Sequence, residues 1–377
     1  MPLTAYSISY PGERDVEQTL NWFSSKFGQS SIAGDTIPED LRTYLRTDLQ
    51  CPCCFVTGAE IVRHAVKSGK ASRQSFFRFT TPGHRPHCDF GSPETANTIP
   101  ENLVSLTESK SNLTRAVRNL VCTGIEKSIF SQVSIRNMRE WFFNKKVESL
   151  FAVTLDPRLF TWMSALQENY FLSSGALPTG VPLTREIAAL PSFDWRAEAA
   201  RRVMESYPQH KVNMKAVIDL HGGMFGDIGK RAQVLAQRFQ GRTIFDPAVL
   251  KTEYYKARSL ADFIVHNYAP LKAAKGNSGS ASVLALSALL LFVREWDVGL
   301  AVADFIKIAT EVGSANQELG NVIGLNPFHD YQAWELLICL QNLTIAVPNN
   351  IDIKKERVEM ESALRVQFGI SSHSTSF

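Results

Sequence analysis

A chain of 377 residues is longer than one hydrophobic core usually serves, so two or more domains are expected. An apolar share of 44% with 20% charged residues excludes the disordered, highly charged class, and a formal net charge of +3 permits contact with nucleic acid without requiring it. The longest apolar run, Ala281 to Val293, contains Ser282 and Ser287 and is too short to cross a hydrocarbon core of roughly 30 Å, so it reads as a buried helix and no membrane partner is expected.

The start, Met1-Pro2-Leu3-Thr4-Ala5, lacks the basic-then-apolar pattern of a secretory leader. Two helices should follow. Arg14 to Phe27 places Val16, Leu20, Phe23 and Phe27 near one face, and Glu39 to Leu49 begins after the start signal Pro38. The next forty residues hold the sharpest feature of the chain, Cys51-Pro52-Cys53-Cys54, answered by His84-Arg85-Pro86-His87-Cys88. Cys-x2-Cys puts two thiolates on one tight turn, and a return segment with His and Cys can close a tetrahedron around one Zn2+.

Cys53 is the expected bystander, because adjacent side chains diverge. The candidate ligands are therefore Cys51, Cys54, His84, His87 and Cys88, with the fourth position open between His84 and His87. Extended stretches at Glu60 to Arg63 and Gln74 to Phe79, around a turn at Lys67 to Lys70, make a hairpin between the ligand pairs. A metal at the ends of so small a hairpin would supply the stability that burial alone cannot. A catalytic ion is disfavoured: deaminase-type chemistry needs a His-x-Glu and a Pro before the Cys-x2-Cys, whereas Gln50 precedes Cys51 and no His-x-Glu occurs.

The order Cys-x2-Cys, hairpin, aromatic-basic strand, then His and Cys resembles the N-terminal zinc-binding module of competence-protein CoiA-like families over about residues 48 to 90. In those families the module accompanies a nuclease-like domain, which the resemblance would imply here. Their second strand carries His-Phe-x-His, where this chain has Phe76-Phe77-Arg78-Phe79, so the remaining ligands must come from His84, His87 and Cys88. The acidic-Glu-x-Lys core of a restriction-like nuclease is not found; Asp246, Glu253 and Lys256 have the wrong spacing.

The expected domain map is residues 1–92 for the N-terminal helices and zinc-ribbon-like module, 93–110 for a linker, 111–370 for a helical domain and 371–377 for a frayed tail. After Ser111-Asn112, one helix should run to about Phe130 and another through Val133 to Phe151. These two carry Arg136, Arg139, Lys145 and Lys146 among aromatic residues. Further helices are expected at Asp194 to Tyr207, Asp227 to Phe239, Pro247 to Tyr268, Ser280 to Trp296, Val298 to Val312, Tyr331 to Leu343 and Ile353 to Phe368, with one strand at Ala216 to Leu220. The fold class is thus mainly α, a small α+β Cys/His module followed by a large multi-helix domain.

The preferred function on sequence alone is a zinc-stabilised, nucleic-acid-associated binding or regulatory protein. Arg73, Arg78, Arg85, Arg136, Arg139, Lys145 and Lys146 would contact DNA or RNA phosphates, and the helical domain would bind a protein partner. The alternatives are a non-catalytic adaptor or assembly subunit, and a hydrolase or nuclease-like enzyme using Asp219, His221 and Asp227 around the loop His221-Gly222-Gly223. No nucleophile elbow accompanies that loop, so the balance leans away from an enzyme. Clustered cysteines with two lone ones, Cys122 and Cys339, fit a reducing compartment and a cytoplasmic location.

Overall fold

A computed structural model describes residues 2–28, 37–63, 66–67, 70–71, 75–88, 90–91, 102–105, 111–208, 212–215, 218, 226–311, 316, 319, 323–343, 345 and 352–369. The protein is mainly α, with small antiparallel sheets toward its N-terminus, as the sequence predicts. Of the tail, residues 371–377 lie outside the described residues, as does most of the strand expected at Ala216 to Leu220, whose Ile218 is helical.

The chain opens with β1 (Thr4–Ser7) and β2 (Gly12–Asp15), paired antiparallel from Thr4 opposite Asp15 to Ser7 opposite Gly12. Helix α1 (Val16–Phe27) follows directly. Asp15 caps it by accepting from the Gln18 N–H, while the Gln18 side chain accepts from the Asp15 N–H, and Val16, Leu20 and Phe23 fill its buried face. Helix α2 (Glu39–Asp48) runs into β3 (Leu49–Gln50), which pairs with the free edge of β1. Asp48 fastens the end of α2 to β1, accepting from Ser7 Oγ at 2.5 Å and from the Ser9 N–H at 2.7 Å.

Strands β4 (Ala59–Val62), β5 (Val66–Lys67), β6 (Lys70–Ala71) and β7 (Phe76–Phe79) form the expected hairpin, with Ala59 opposite Phe79, Val62 opposite Phe76 and Lys67 opposite Lys70. Phe77 and Phe79 turn inward from β7 and are buried. Strand β8 (Asn102–Ser105) falls inside the span expected to be a linker, yet pairs antiparallel with the strand Ile323–Asn326, Asn102 opposite Asn326.

Helices α3 (Asn112–Glu126) and α4 (Gln132–Glu148) share a core with the helices Lys251–Asn267, Ala281–Phe292 and Val298–Thr310. The apolar run read as a buried helix is one: every residue from Ser282 to Leu291 is buried. Among the described residues no helix is long and apolar enough to cross a membrane.

The chain forms two compact units. One comprises residues 1–151 and 243–331, and the other residues 152–242 and 332–377. Residues 1–92 thus share a unit with α4, and the span 111–370 runs through both units. The physical cause lies in α4. Arg139 Nη2 pairs with Glu13 Oε2 at 2.9 Å, both side chains almost wholly buried, and Glu13 also accepts from Thr4 Oγ1 at 2.5 Å. Gln132 Oε1 accepts from the Glu13 N–H at 2.9 Å, and Phe143 enters the same apolar cluster as Leu41, Leu45 and Cys51. Contacts of this kind make α4 a wall of the N-terminal module.

In the other unit the helices Arg158–Leu172, Trp195–Glu205 and Ile353–Gln367 pack together. Arg357 Nη1 donates to Asn169 Oδ1 at 3.1 Å, and the buried Glu198 is held by Arg201 at 2.6 Å and Arg202 at 2.9 Å.

Leaving Glu13 as a buried charge without Arg139 should be costly. In urea unfolding, Arg139→Met is expected to lose about 3–5 kcal/mol. The exposed pair of Arg78 with Glu60 gives the contrast, and Arg78→Met is expected to cost about 1 kcal/mol or less. Equal effects of the two substitutions would contradict the role given to Arg139.

Candidate metal centre

The first half of the site is a turn that α2 and β3 deliver. The Phe55 N–H donates to the Cys51 carbonyl at 3.1 Å, the Cys51 N–H to the Val56 carbonyl at 2.9 Å, and the Cys53 N–H points at Cys51 Sγ, 3.5 Å away. Phe55 completes the turn in the left-handed region at φ 62°. Such a turn directs the sulfurs of Cys51 and Cys54 to one side.

Gly58 then sets the approach of the second half. At φ 95° it suits glycine, and its N–H donates to the Arg46 carbonyl at 2.8 Å. A Cβ there would lie 2.1 Å from the Thr81 carbonyl oxygen. That contact is too close for any side chain, so the backbone of the return segment passes directly over Gly58. Beyond β7 the return segment brings His84 under Phe79, ring centroids 5.5 Å apart, and closes a turn in which the Cys88 N–H donates to the Arg85 carbonyl at 3.2 Å.

Cys51, Cys54, His84 and Cys88 meet there, with all four ligand atoms within 4.8 Å of one another. Cys51 Sγ and Cys88 Sγ are 3.9 Å apart, and His84 Nδ1 lies 3.6 Å from Cys54 Sγ and 3.3 Å from Cys88 Sγ. A regular tetrahedron with metal–sulfur bonds of about 2.3 Å and metal–nitrogen bonds of about 2.0–2.1 Å has edges of about 3.8 Å between sulfurs and about 3.6 Å from sulfur to nitrogen. The cluster is already close to that size, and could hold one metal ion. The sulfurs are also much too far apart for a disulfide, which needs about 2.05 Å.

Burial pushes the Cys51 thiol well above its ordinary pKa, and hydrogen bonding with Cys51 does the same for Cys88. Cys54 moves the other way, because Cys51 and Cys88 both donate to it. In the absence of a cation, burial and mutual hydrogen bonding work against ionising Cys51 and Cys88. A divalent ion is what would let all three sulfurs ionise together.

His84 is the histidine that joins the cluster, and His87 lies outside it. His87 adopts φ 66° and contributes its carbonyl oxygen instead, accepting from Lys146 Nζ at 2.9 Å. Cys53 is buried beside the site without belonging to it, as its adjacency to Cys54 implied.

The expected phosphate-binding residues fare differently. Arg139 is consumed by Glu13, and Lys146 is 1% exposed, so neither side chain can reach a phosphate. Arg136 is bound to Gln50 Oε1 at 3.0 Å and Glu140 Oε2 at 2.8 Å, with its guanidinium 4.9 Å from the Phe55 ring centre. Arg78 and Arg85 are exposed, the former paired with Glu60 at 2.9 Å, and Lys145 is half-buried. Arg73 lies outside the described residues, as do Asp219 and His221; Asp227 is an exposed residue in the first turn of the helix Asp227–Phe239.

What the sequence reading missed is that α4 faces the metal loop. Residues 136, 139, 143 and 146 recur at helical spacing, so the basic stripe and Phe143 share one face, and that face is turned inward. The signal was present in the period. Its partners, Glu13, Gln50 and the His87 carbonyl, are too remote in sequence to be recognised as such.

No family model matches the chain, and neither a curated protein nor a solved structure matches it.

Cys51→Ser, Cys54→Ser, Cys88→Ser and His84→Ala are each expected to lower the metal content of the purified chain, measured by elemental analysis, while Cys53→Ser and His87→Ala retain it. Gly58→Ala should also lose metal, because the return segment must move away from the Cys51–Cys54 turn. Full retention by both Cys54→Ser and Cys88→Ser would exclude the centre.

Proposed function

We propose that the chain is a zinc-stapled, non-catalytic binding protein, an adaptor or subunit of a larger assembly, working in the reducing cytoplasm. The observation that carries this is the donor set, one imidazole and three fully buried sulfurs close enough together to supply all four positions around one ion. Catalytic zinc keeps a position open for water or substrate, whereas a site closed by four protein donors stabilises a fold. Soft thiolates with one imidazole at tetrahedral spacing suit zinc among the common divalent ions. The likeness of residues 48–90 to the CoiA-like module accords with a stapling task for the ion.

A protein partner is the occupant we assign to the outer face of the helix Val298–Thr310. Leu300 is 54% exposed and Ile306 49% exposed, and Ala303 between them is exposed as well. One of the helix's two charges, Asp304, is turned inward to Arg294 at 2.5 Å. The outer side of this helix carries one exposed charge, Lys307, between Leu300 and Ile306 around the helix; exposed apolar side chains with so little charge among them favour association with another largely apolar surface.

Nucleic acid is the second reading, favoured by Arg85, Arg78 and Lys145, which remain accessible around the metal loop. The two separate cleanly in affinity capture and in titration with labelled DNA or RNA at rising salt. Leu300→Asp with Ile306→Asp is expected to abolish specific capture of a protein partner, or self-association, without changing the circular dichroism spectrum. Arg85→Glu with Lys145→Glu should leave capture intact. Salt-dependent nucleic-acid binding lost only in the second pair would overturn the adaptor reading in favour of the other.

A further inference from the structure

We infer that helix α4 is the outer wall of the metal centre, with Lys146 and Phe143 as positioning residues that hold the two halves of the ligand set against each other. This rests on the zinc reading above. Each half of the site meets the same turn of α4. On the first half, the ring of Phe55, the residue after Cys54, stands edge-on to Phe143 at 6.2 Å and 87°. On the return half, the guanidinium of Arg85, the residue after His84, lies 5.9 Å from the centre of the same Phe143 ring. Lys146, one turn further along α4, donates from Nζ to the carbonyl of His87, the residue before Cys88. Three of the four ligands thus have a sequence neighbour in contact with two side chains of α4.

Lys146 sits where a lysine is costly. Its ammonium group is buried over the rings of Phe142 and Phe143, 5.8 and 5.5 Å from their centres. A cation in such a place must be held by its contacts, and the one at 2.9 Å is to a backbone oxygen of the ligand loop. His87 has a positive φ of 66°, so its carbonyl is presented by a turn that an L-residue adopts reluctantly. The hydrogen bond from Lys146 fixes that turn, and with it the direction of Cys88 Sγ. Outer groups that orient ligands in this way typically govern metal affinity by about 10- to 100-fold.

Metal binding and the docking of α4 are consequently linked in both directions: the helix pre-forms the site, and the ion locks the loop onto the helix. Residues 48–90 would then hold the donors without being able to position them alone.

The test uses the full chain. Zinc affinity, measured by competition with a chromogenic chelator, is expected to fall about 10- to 100-fold in Lys146→Met and to recover most of that loss in Lys146→Arg, which keeps a donor. In the cobalt(II)-loaded chain the ligand-field bands should shift in Lys146→Met and return in Lys146→Arg, a change that general loosening of the core would not produce. On the wild type, removing zinc should raise amide hydrogen exchange at residues 140–148 before the helix Ala281–Phe292 opens; this measurement decides the matter if Lys146→Met does not fold. Wild-type zinc binding with unchanged affinity in Lys146→Met, or with unchanged exchange in α4, would overturn the inference and leave the zinc centre standing. A wild type that takes up no zinc would overturn the centre itself, and this inference with it.

Discussion

Cys51, Cys54 and Cys88 are all fully buried with their sulfurs converging beside His84, and the local fold of the first ninety residues depends on how that pocket settles its charge. Three thiolates in a dry pocket repel one another and lose their hydration, so burial and proximity drive two of the three thiols toward the protonated form. A divalent cation reverses this by making the ionised form the stable one. The β4–β7 hairpin is too short to stand alone, and these four donors add to the contacts with α4 that bring the turn at Cys51–Phe55 and the loop at His84–Cys88 together.

The second consequence concerns charge. The cations of α4 that point to phosphate recognition in the sequence are drawn inward: Arg139 to Glu13, Arg136 to Gln50 and Glu140, Lys146 to the backbone of the ligand loop. An inward basic face has an anionic or dipolar counterpart, and here that counterpart is the N-terminal module of the same chain. The module's stability is therefore shared with the helical core that α4 also builds through Ile135, Met138 and Phe142. The groups left facing outward include Leu300 and Ile306 on one helix and Arg85 on the ligand loop, with Lys145 half-buried on α4.

Local patterns made much of this legible. Cys-x2-Cys with a His- and Cys-bearing return segment pointed to the cluster that the fold brings together, because ligand spacing is a short-range property, and the buried helix Ala281–Phe292 could be read from its apolar composition. The choice of His84 over His87 was not readable, since it turns on the backbone at His87 and a contact from Lys146. Strands β1 and β2 escaped notice because they are bound through Thr4, Glu13 and Arg139 rather than by an alternating apolar face. The pairing of β8 with Ile323–Asn326 joins distant segments, and a polar stretch with an unseen partner reads as a linker. The division into units was hidden for a related reason: the chain leaves the first unit after residue 151 and returns at 243, and no local composition marks that return.

The most direct measurement is X-ray absorption at the zinc edge of the purified full-length chain, with metal content determined on the same sample. The account predicts about one zinc per chain with three sulfur scatterers near 2.3 Å and one nitrogen near 2.0–2.1 Å, in tetrahedral geometry. A folded chain with no bound metal would contradict it, as would a first shell containing a water or carboxylate oxygen in place of one of the sulfurs.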